Sequence, residues 1–147
     1  MNIFSKIILV ALIFIAIKSV ISNSDSTNKT PTPHANISQH PNILTLTNTN
    51  YMQDLLQSDK PVLVKFWAAW CKPCRDMSAE FNNASETFTG EITFAEINVD
   101  EQKQVAKKYA IRALPTIILF HNGKVLKRGK GFMNKNQIEA FLENSQF

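Results

Sequence analysis

The sequence has few of the residues from which metal and nucleotide sites are built. Its 147 residues include only two cysteines, three histidines and four glycines. A structural zinc site needs about four ligands, and no histidine lies at ligand spacing from the cysteines. The glycines do not form the G-x-G-x-x-G pattern of a dinucleotide-binding loop. We therefore expect neither a metal ion nor a bound nucleotide cofactor.

The chain also lacks a strong excess of one charge. Its formal net charge is +4, and no basic stripe is interleaved with aromatic residues. Both observations argue against a nucleic-acid partner. Hydrophobic residues make up 44% of the chain and charged residues 19%, which is ordinary for a globular protein. The length indicates one domain with additional residues at one end.

A long apolar run is absent as well. Residues 7–17 form an unbroken apolar stretch of eleven residues, whereas a transmembrane helix needs about 20. With Lys6 before it and a weak cleavage point after it, this stretch predicts that residues 1–22 are a signal peptide. A retained membrane anchor over residues 3–21 stays open, because Lys6 and Lys18 could extend to the two interfaces. No cysteine lies there to carry a lipid, and we expect the domain to be periplasmic or secreted.

Residues 23–41 are rich in serine, threonine, asparagine and proline. Such a segment buries too little apolar surface to offset the entropy of ordering, so we predict a flexible linker. Strand-like and helix-like patterns alternate over residues 42–147 in the order β-α-β-α-β-α-β-β-α. This order predicts an α/β domain with parallel strand pairs first and an antiparallel hairpin at the end. The predicted strands are 43–46, 61–67, 92–99, 116–120 and 125–128, and the predicted helices are 50–57, 71–88, 100–109 and 136–144.

Three local patterns support these elements. The strand 61–67 is apolar on both faces except at Lys65, which predicts a central strand covered by helices. Asp100 is a favourable N-cap for the third helix. Asn122-Gly123 is the strongest short hairpin signal and predicts the turn between the last two strands.

Both cysteines lie in the stretch Trp70-Cys71-Lys72-Pro73-Cys74, between an apolar strand and a helical pattern. Two thiols with two residues between them at this place predict a redox pair. Just before the first turn of a helix, the sulfur of Cys71 would face unpaired N–H groups and the positive end of the helix dipole, which favour the reactive thiolate. Cys74 follows on the same helix face, where it could attack a mixed disulfide on Cys71. Pro73 suits the first turn.

Other interpretations of the motif are a structural disulfide, half of a zinc site and two unrelated thiols. A disulfide across so short a loop would constrain the unfolded chain little. The further ligands of a zinc site are missing. The redox interpretation is therefore favoured.

Further segments follow the motif at characteristic separations: Asn98-Val99-Asp100, the run from Tyr109 to Thr116, Phe120-His121-Asn122-Gly123 and Gly131. Together with the run from Phe66 to Cys74, they resemble the thioredoxin family over residues 43–147. The resemblance implies a thioredoxin fold, in which a central mixed β-sheet is flanked by helices on both faces. It also implies a cis peptide bond at Leu114–Pro115.

In that family the cis proline lies beside the cysteine pair, and the residue before it offers backbone hydrogen bonds to an extended substrate. The resemblance therefore implies an apolar substrate groove around Cys71. An apolar residue at position 114 is more similar to the thioredoxins than to their oxidase relatives. The lining implied for the groove is Trp70, Lys72, Pro73, Leu114, Pro115 and Gly131.

Two charges depart from the family pattern. Thioredoxins usually carry a buried aspartate at the position of Lys65 and a lysine at that of Glu96. Since lone charges in an apolar strand are rarely buried unless paired, we predict a partly buried Lys65–Glu96 pair beneath Cys74, with a role in proton transfer or pKa tuning. In the alternative, one of the two side chains reaches the surface. Lys72 either favours the Cys71 thiolate or is a solvated surface lysine.

The function implied is that of an exported, monomeric thiol–disulfide oxidoreductase that reduces protein disulfides through Cys71 and Cys74. Its electrons would come from a thiol reductase, either a membrane electron transporter or a thioredoxin reductase. Two other functions stay open. One is an oxidase or isomerase that forms or shuffles disulfides, and the other is a non-catalytic binding module of the same fold.

Overall fold

Five strands form one mixed sheet in the computed structural model, which describes residues 40–145. The predicted targeting segment and nearly all of the predicted linker lie outside the described residues. Among residues 40–145, no helix is both long and apolar enough to cross a membrane. The strands are β1 Ile43–Thr45, β2 Val62–Trp67, β3 Thr93–Asn98, β4 Thr116–His121 and β5 Lys124–Lys130; the helices are α1 Tyr51–Leu56, α2 Lys72–Thr87, α3 Lys103–Lys108 and α4 Lys135–Glu143.

β2 lies at the centre of the sheet, whose strand order is β1-β3-β2-β4-β5. β1 and β2 both pair in parallel with β3, whereas β4 pairs antiparallel with β2 and with β5. The predicted α/β order, with parallel pairs first and a hairpin at the end, is confirmed. The register places Lys65 of β2 directly opposite Glu96 of β3.

Two apolar cores fill the space between the sheet and its helices. On one face, α1 and α3 contribute Leu55 and Val105. On the other, α2 and α4 contribute Phe81 and Ile138, and the ring of Phe81 meets Phe94 edge-on with centroids 5.0 Å apart. Each fully buried side chain of this size contributes about 1.5–3 kcal/mol. Because both faces are covered, β2 is buried along nearly its whole length.

The third helix begins later than predicted. It spans Lys103–Lys108, and the residue that flanks its start is Gln102, so the prediction of Asp100 as the N-cap is wrong. The side-chain oxygen of Gln102 accepts a hydrogen bond from the backbone of Asn48 at 2.9 Å. Asp100 accepts one from Trp70. Both residues thus bond to distant parts of the chain, and neither side chain caps the helix.

The predicted hairpin turn is confirmed. β4 and β5 are joined by Asn122 and Gly123, whose φ angles are 50° and 72°. A tight turn with positive φ at both central positions matches the twist of the flanking strands, and Asn-Gly adopts it readily. Helix α4 then begins with a capping box, in which Asn134 and Gln137 bond each other's backbone N–H groups.

Candidate active site

The two cysteines lie where the central strand passes into helix α2. Cys71 is the N-cap of the helix, and its Sγ accepts a hydrogen bond from the backbone N–H of Cys74 at 3.3 Å. A sulfur acceptor here satisfies one of the N–H groups that a helix leaves unpaired at its start. Pro73 lies in the first turn, as predicted. The start of helix α2 was therefore predicted correctly from the sequence.

Cys71 and Cys74 are joined by a disulfide. Their exposed fractions are 4% and 1%, so Cys71 is the more accessible of the two. This order of exposure fits a redox pair in which Cys71 attacks the substrate first and Cys74 then resolves the mixed disulfide.

A cis proline lies next to the disulfide. The Leu114–Pro115 bond is cis, and Leu114 packs against the small cluster formed by Ala68 and the two cysteines. Leu114 lies two residues before β4, so it is not paired with either neighbouring strand. The backbone N–H of Gly131 donates to the carbonyl of Pro115 at 2.8 Å, and its φ of 85° is one that favours glycine. This bond brings Gly131 to the proline.

Two residues beside the cysteines, Trp70 and Lys72, are exposed and make polar contacts. The Trp70 side chain is 70% exposed, and its Nε1 donates to Oδ2 of Asp100 at 2.9 Å. Lys72 is also exposed, and its Nζ lies 2.7 Å from Oδ2 of Asp76. A surface ion pair of this kind contributes about 0.3–0.5 kcal/mol. The exposure fits the solvated alternative for Lys72, and its effect on Cys71 stays a prediction.

Lys65 and Glu96 form the pair that was predicted from the sequence. Nζ of Lys65 lies 3.1 Å from Oε2 of Glu96, and the two side chains are 2% and 14% exposed. The alternative in which Lys65 reaches the surface is therefore wrong. Burial lowers the pKa of Lys65 from its usual value, while the charge of Glu96 and its hydrogen bond act in the opposite direction. The catalytic role of the pair stays a prediction.

One residue of the site was not found from the sequence. Ser78 accepts a hydrogen bond from Nζ of Lys65 at 3.3 Å, and its hydroxyl donates to the carbonyl of Cys74 at 3.1 Å. Its position four residues after Cys74, on the same helix face, was an available signal. Asp100 was predicted as a cap and as part of a family motif, but its hydrogen bond from Trp70 was not predicted.

The predicted site residues do not all meet in one place. The cysteines, Leu114, Pro115 and Gly131 are joined by packing or hydrogen bonds. The Lys65–Glu96 pair is linked to Cys74 through Ser78. Within residues 40–145, no group of three or more histidine, cysteine, aspartate or glutamate side chains could hold a metal ion.

The chemistry available here is exchange between this disulfide and another. One cysteine is the N-cap of a helix, the second is bonded to it from the first turn of that helix, and the apolar Leu114 packs against their cluster. These features place the chain among the thiol–disulfide oxidoreductases.

Comparison with known proteins agrees with this class. The family model described as Thioredoxin matches residues 42–144. The chain is 43% identical over 99 residues to a thioredoxin of Alicyclobacillus acidocaldarius, covering 67% of this chain and 93% of that protein. It is 35% identical over 107 residues to a thioredoxin of Pseudomonas aeruginosa, covering 73% and 97%. It is 46% identical over 97 residues to the chloroplastic thioredoxin Y2 of Arabidopsis thaliana, covering 65% and 58%. The chain belongs to the thioredoxin family, and the predicted fold and enzyme class are confirmed.

Proposed function

We propose that this thioredoxin is exported and reduces disulfide bonds in proteins outside the cytosol. The main observation in favour of reduction, rather than oxidation, of substrates is the apolar Leu114. It precedes the cis proline and packs against the cysteine cluster. The relatives named above are all thioredoxins, which supports the same direction.

The reaction transfers two electrons to the substrate. The Cys71 thiolate attacks one sulfur of a substrate disulfide, forms a mixed disulfide and releases the other sulfur as a thiolate. Cys74 then loses its proton and attacks the sulfur of Cys71. The mixed disulfide breaks, the substrate leaves with both cysteines reduced, and the disulfide between Cys71 and Cys74 is formed.

Each turnover leaves the protein oxidised, so a reductase must return two electrons. Outside the cytosol this partner would be a membrane thiol-electron transporter, whereas a soluble thioredoxin reductase would serve inside. We favour the first, because residues 1–22 have the pattern of a targeting segment. A retained anchor over residues 3–21 would hold the same domain at the membrane surface.

The reduction potential of the Cys71–Cys74 pair tests the direction. The purified protein is equilibrated against glutathione and followed by fluorescence, since the chain's two tryptophans, Trp67 and Trp70, both lie beside the cysteines. We expect a value near the about −270 mV of thioredoxin. A value between about −120 and −180 mV would instead indicate an oxidase or isomerase.

Cell fractionation of the full chain, with a C-terminal tag, tests export. We expect the protein outside the cytosol, and mass spectrometry of its mature N-terminus separates a cleaved signal peptide from a retained anchor. Recovery of the full-length chain in the cytosol would contradict the proposal. That outcome would leave the disulfide chemistry unaffected.

A further inference from the structure

Charge is unevenly distributed along the chain, although its sum is small. Residues 102–138 contain nine lysine and arginine residues and no aspartate or glutamate. The remaining residues that the structure describes, 40–101 and 139–145, contain four basic and eleven acidic residues. The basic stretch folds as α3, β4, β5 and the start of α4. The small net charge therefore conceals a strongly basic part of the domain.

The edge strand β5 carries some of these cations on a face that no helix covers. The register sets Arg128 opposite Ile118 and Lys130 opposite Thr116. Ile118 belongs to the core that α1 and α3 cover, and side chains two residues apart on a strand share a face. Arg128 and Lys130 therefore point to the α3 side of the sheet, and both are exposed there.

The end of helix α3 adds further cations beside β5. The guanidinium of Arg128 donates to the carbonyl of Tyr109, the residue after α3, at 2.7 Å. Lys107 and Lys108 are the last residues of that helix, and Arg112 follows in the loop that leads to the cis proline. We call the five exposed cations on this side the basic surface: Lys107, Lys108, Arg112, Arg128 and Lys130.

The basic surface has no acidic partner in the part of the chain that the structure describes. The ion pairs formed within residues 40–145 are those of His40, Lys65, Lys72 and Lys135. None of the five cations takes part in them. Their charges are therefore available to an anion outside the domain.

Protection of the sheet edge explains only part of this surface. Basic side chains on an edge strand hinder its pairing with another strand, which accounts for Arg128 and Lys130. It does not account for Lys107, Lys108 and Arg112, which lie in a helix and a loop. Two separate parts of the chain thus supply cations to the same side of the domain.

Exposed apolar side chains accompany the cations. Six large hydrophobic side chains are exposed among the described residues, and three of them, Val125, Leu126 and Phe132, lie on β5 or just after it. Val125 is opposite Phe120 of the same core and so shares the face of Arg128. This combination fits an anionic bilayer, because the headgroups attract lysine and arginine while the interface accepts apolar side chains.

We propose that the basic surface docks the domain on the anionic phospholipids of a membrane. Lipid is favoured over an acidic protein by the exposed apolar side chains and by the targeting pattern of residues 1–22, which directs the chain to a membrane. Lys130 directly precedes Gly131, whose N–H donates to the carbonyl of Pro115. Docking would therefore hold the disulfide near the bilayer, within reach of a membrane-bound reductase. The attraction to lipid depends on neither the direction of disulfide exchange nor the cleavage of residues 1–22.

Co-sedimentation with sucrose-loaded vesicles tests the surface. Residues 23–147 are used, so that the apolar stretch of residues 7–17 does not bind lipid itself. This form contains the whole family match, and the aligned regions make up 93% and 97% of two bacterial thioredoxins, so it corresponds to a complete folding unit. We expect binding to vesicles of equal parts phosphatidylglycerol and phosphatidylcholine at about 0.1 M salt and release at about 1 M, where the Debye length falls to about 3 Å. Vesicles of phosphatidylcholine alone should not bind.

The principal variant combines Lys107→Gln with Lys130→Gln and so removes one charge from each part of the surface. The matched control combines Lys60→Gln with Lys135→Gln, because Lys60 bonds the carbonyl of Gly90 beyond α2 and Lys135 lies on α4, both away from the basic surface. Each basic residue near an anionic bilayer contributes about fivefold to partitioning. The principal variant should therefore bind about 25-fold more weakly, and the control should change by less than about twofold.

An equal loss in the two variants would overturn the proposal, since it would reflect net charge alone. Equal binding to the two kinds of vesicle, or binding to neither, would also overturn it. Retention on immobilised polyglutamate without binding to anionic vesicles would assign the surface to an acidic protein instead. If Lys130→Gln disturbs β5, Lys107→Gln combined with Arg112→Gln decides, because neither residue is in the sheet. Normal vesicle binding without disulfide exchange would refute the proposed function and leave this proposal standing.

Discussion

The indole Nε1 of Trp70 donates a hydrogen bond to Oδ2 of Asp100, 2.9 Å away, across thirty residues of sequence. The bond joins the residue before the first cysteine to the loop after β3. It holds an aromatic side chain that is 70% exposed in one orientation beside the disulfide. Fixing such a ring before substrate arrives reduces the entropy lost on binding.

Asp100→Ala should therefore weaken binding of a protein substrate without affecting the chemistry. A hydrogen bond of this kind is worth about 0.5–1.5 kcal/mol, so we expect KM for a protein disulfide to rise by about two- to tenfold. The rate with a small disulfide reagent should not change. Glu101→Ala is the control, because it removes the same charge one residue away. Equal KM values for the two variants would show that Asp100 does not act through Trp70.

Cys74→Ser should trap the protein on its substrates. Without the resolving thiol, the mixed disulfide on Cys71 persists, and a purified disulfide-bonded protein should be captured covalently in a complex that dithiothreitol releases. Cys71→Ser should capture less, because its remaining cysteine, Cys74, is the less exposed of the two and is not at the start of the helix. Mass spectrometry identifies the bond. Binding that needs no covalent bond in either variant would favour the non-catalytic alternative.

The stability contributed by Lys65 should depend on pH at the alkaline end. Burial lowers its pKa in the folded protein, so the unfolded chain holds more protons between that pKa and about 10.4. Stability must then rise with pH across this interval. The comparison is with Lys65→Met combined with Glu96→Gln, which leaves neither charge alone in the interior.

Urea unfolding between neutral pH and about pH 10 measures the effect as the difference between the two proteins. We expect that difference to move in favour of the unmodified protein as pH rises. Burial also raises the pKa of Tyr109, whose contribution is lost above about pH 10, but it does so in both proteins and cancels. A difference that is constant with pH would contradict the prediction.

Asn134→Ala should destabilise the fold through helix α4. The variant loses the side-chain acceptor of the capping box, which costs about 1 kcal/mol. Asn136→Ala is the control, since Asn136 is exposed in the first turn of the same helix and does not cap it. Thermal and urea unfolding should separate the two variants. Equal stability would show that the box does not contribute.

Much of the fold and the centre of the site could be predicted because their signals are local. The apolar run of β2 marks a central strand wherever it occurs, and Asn122-Gly123 adopts its turn for reasons internal to the pair. The same holds for Cys71 and Cys74, whose spacing on a helix start places both sulfurs on one face. The cis bond at Leu114–Pro115 was expected only from the family resemblance.

The remaining features depend on which distant residues meet. Asp100 has a side chain that favours a helix N-cap, but in the folded protein it accepts a hydrogen bond from Trp70 instead. Lys65 and Glu96 could each have reached water, until the parallel register of β2 and β3 set them opposite each other under a helix. The sequence by itself determined the elements and the redox pair, because short-range sterics and hydrogen bonding suffice for them. Only the tertiary structure decided that Lys65 is the more deeply buried charge of the pair, because burial and pairing exist only once the sheet and α2 have packed together.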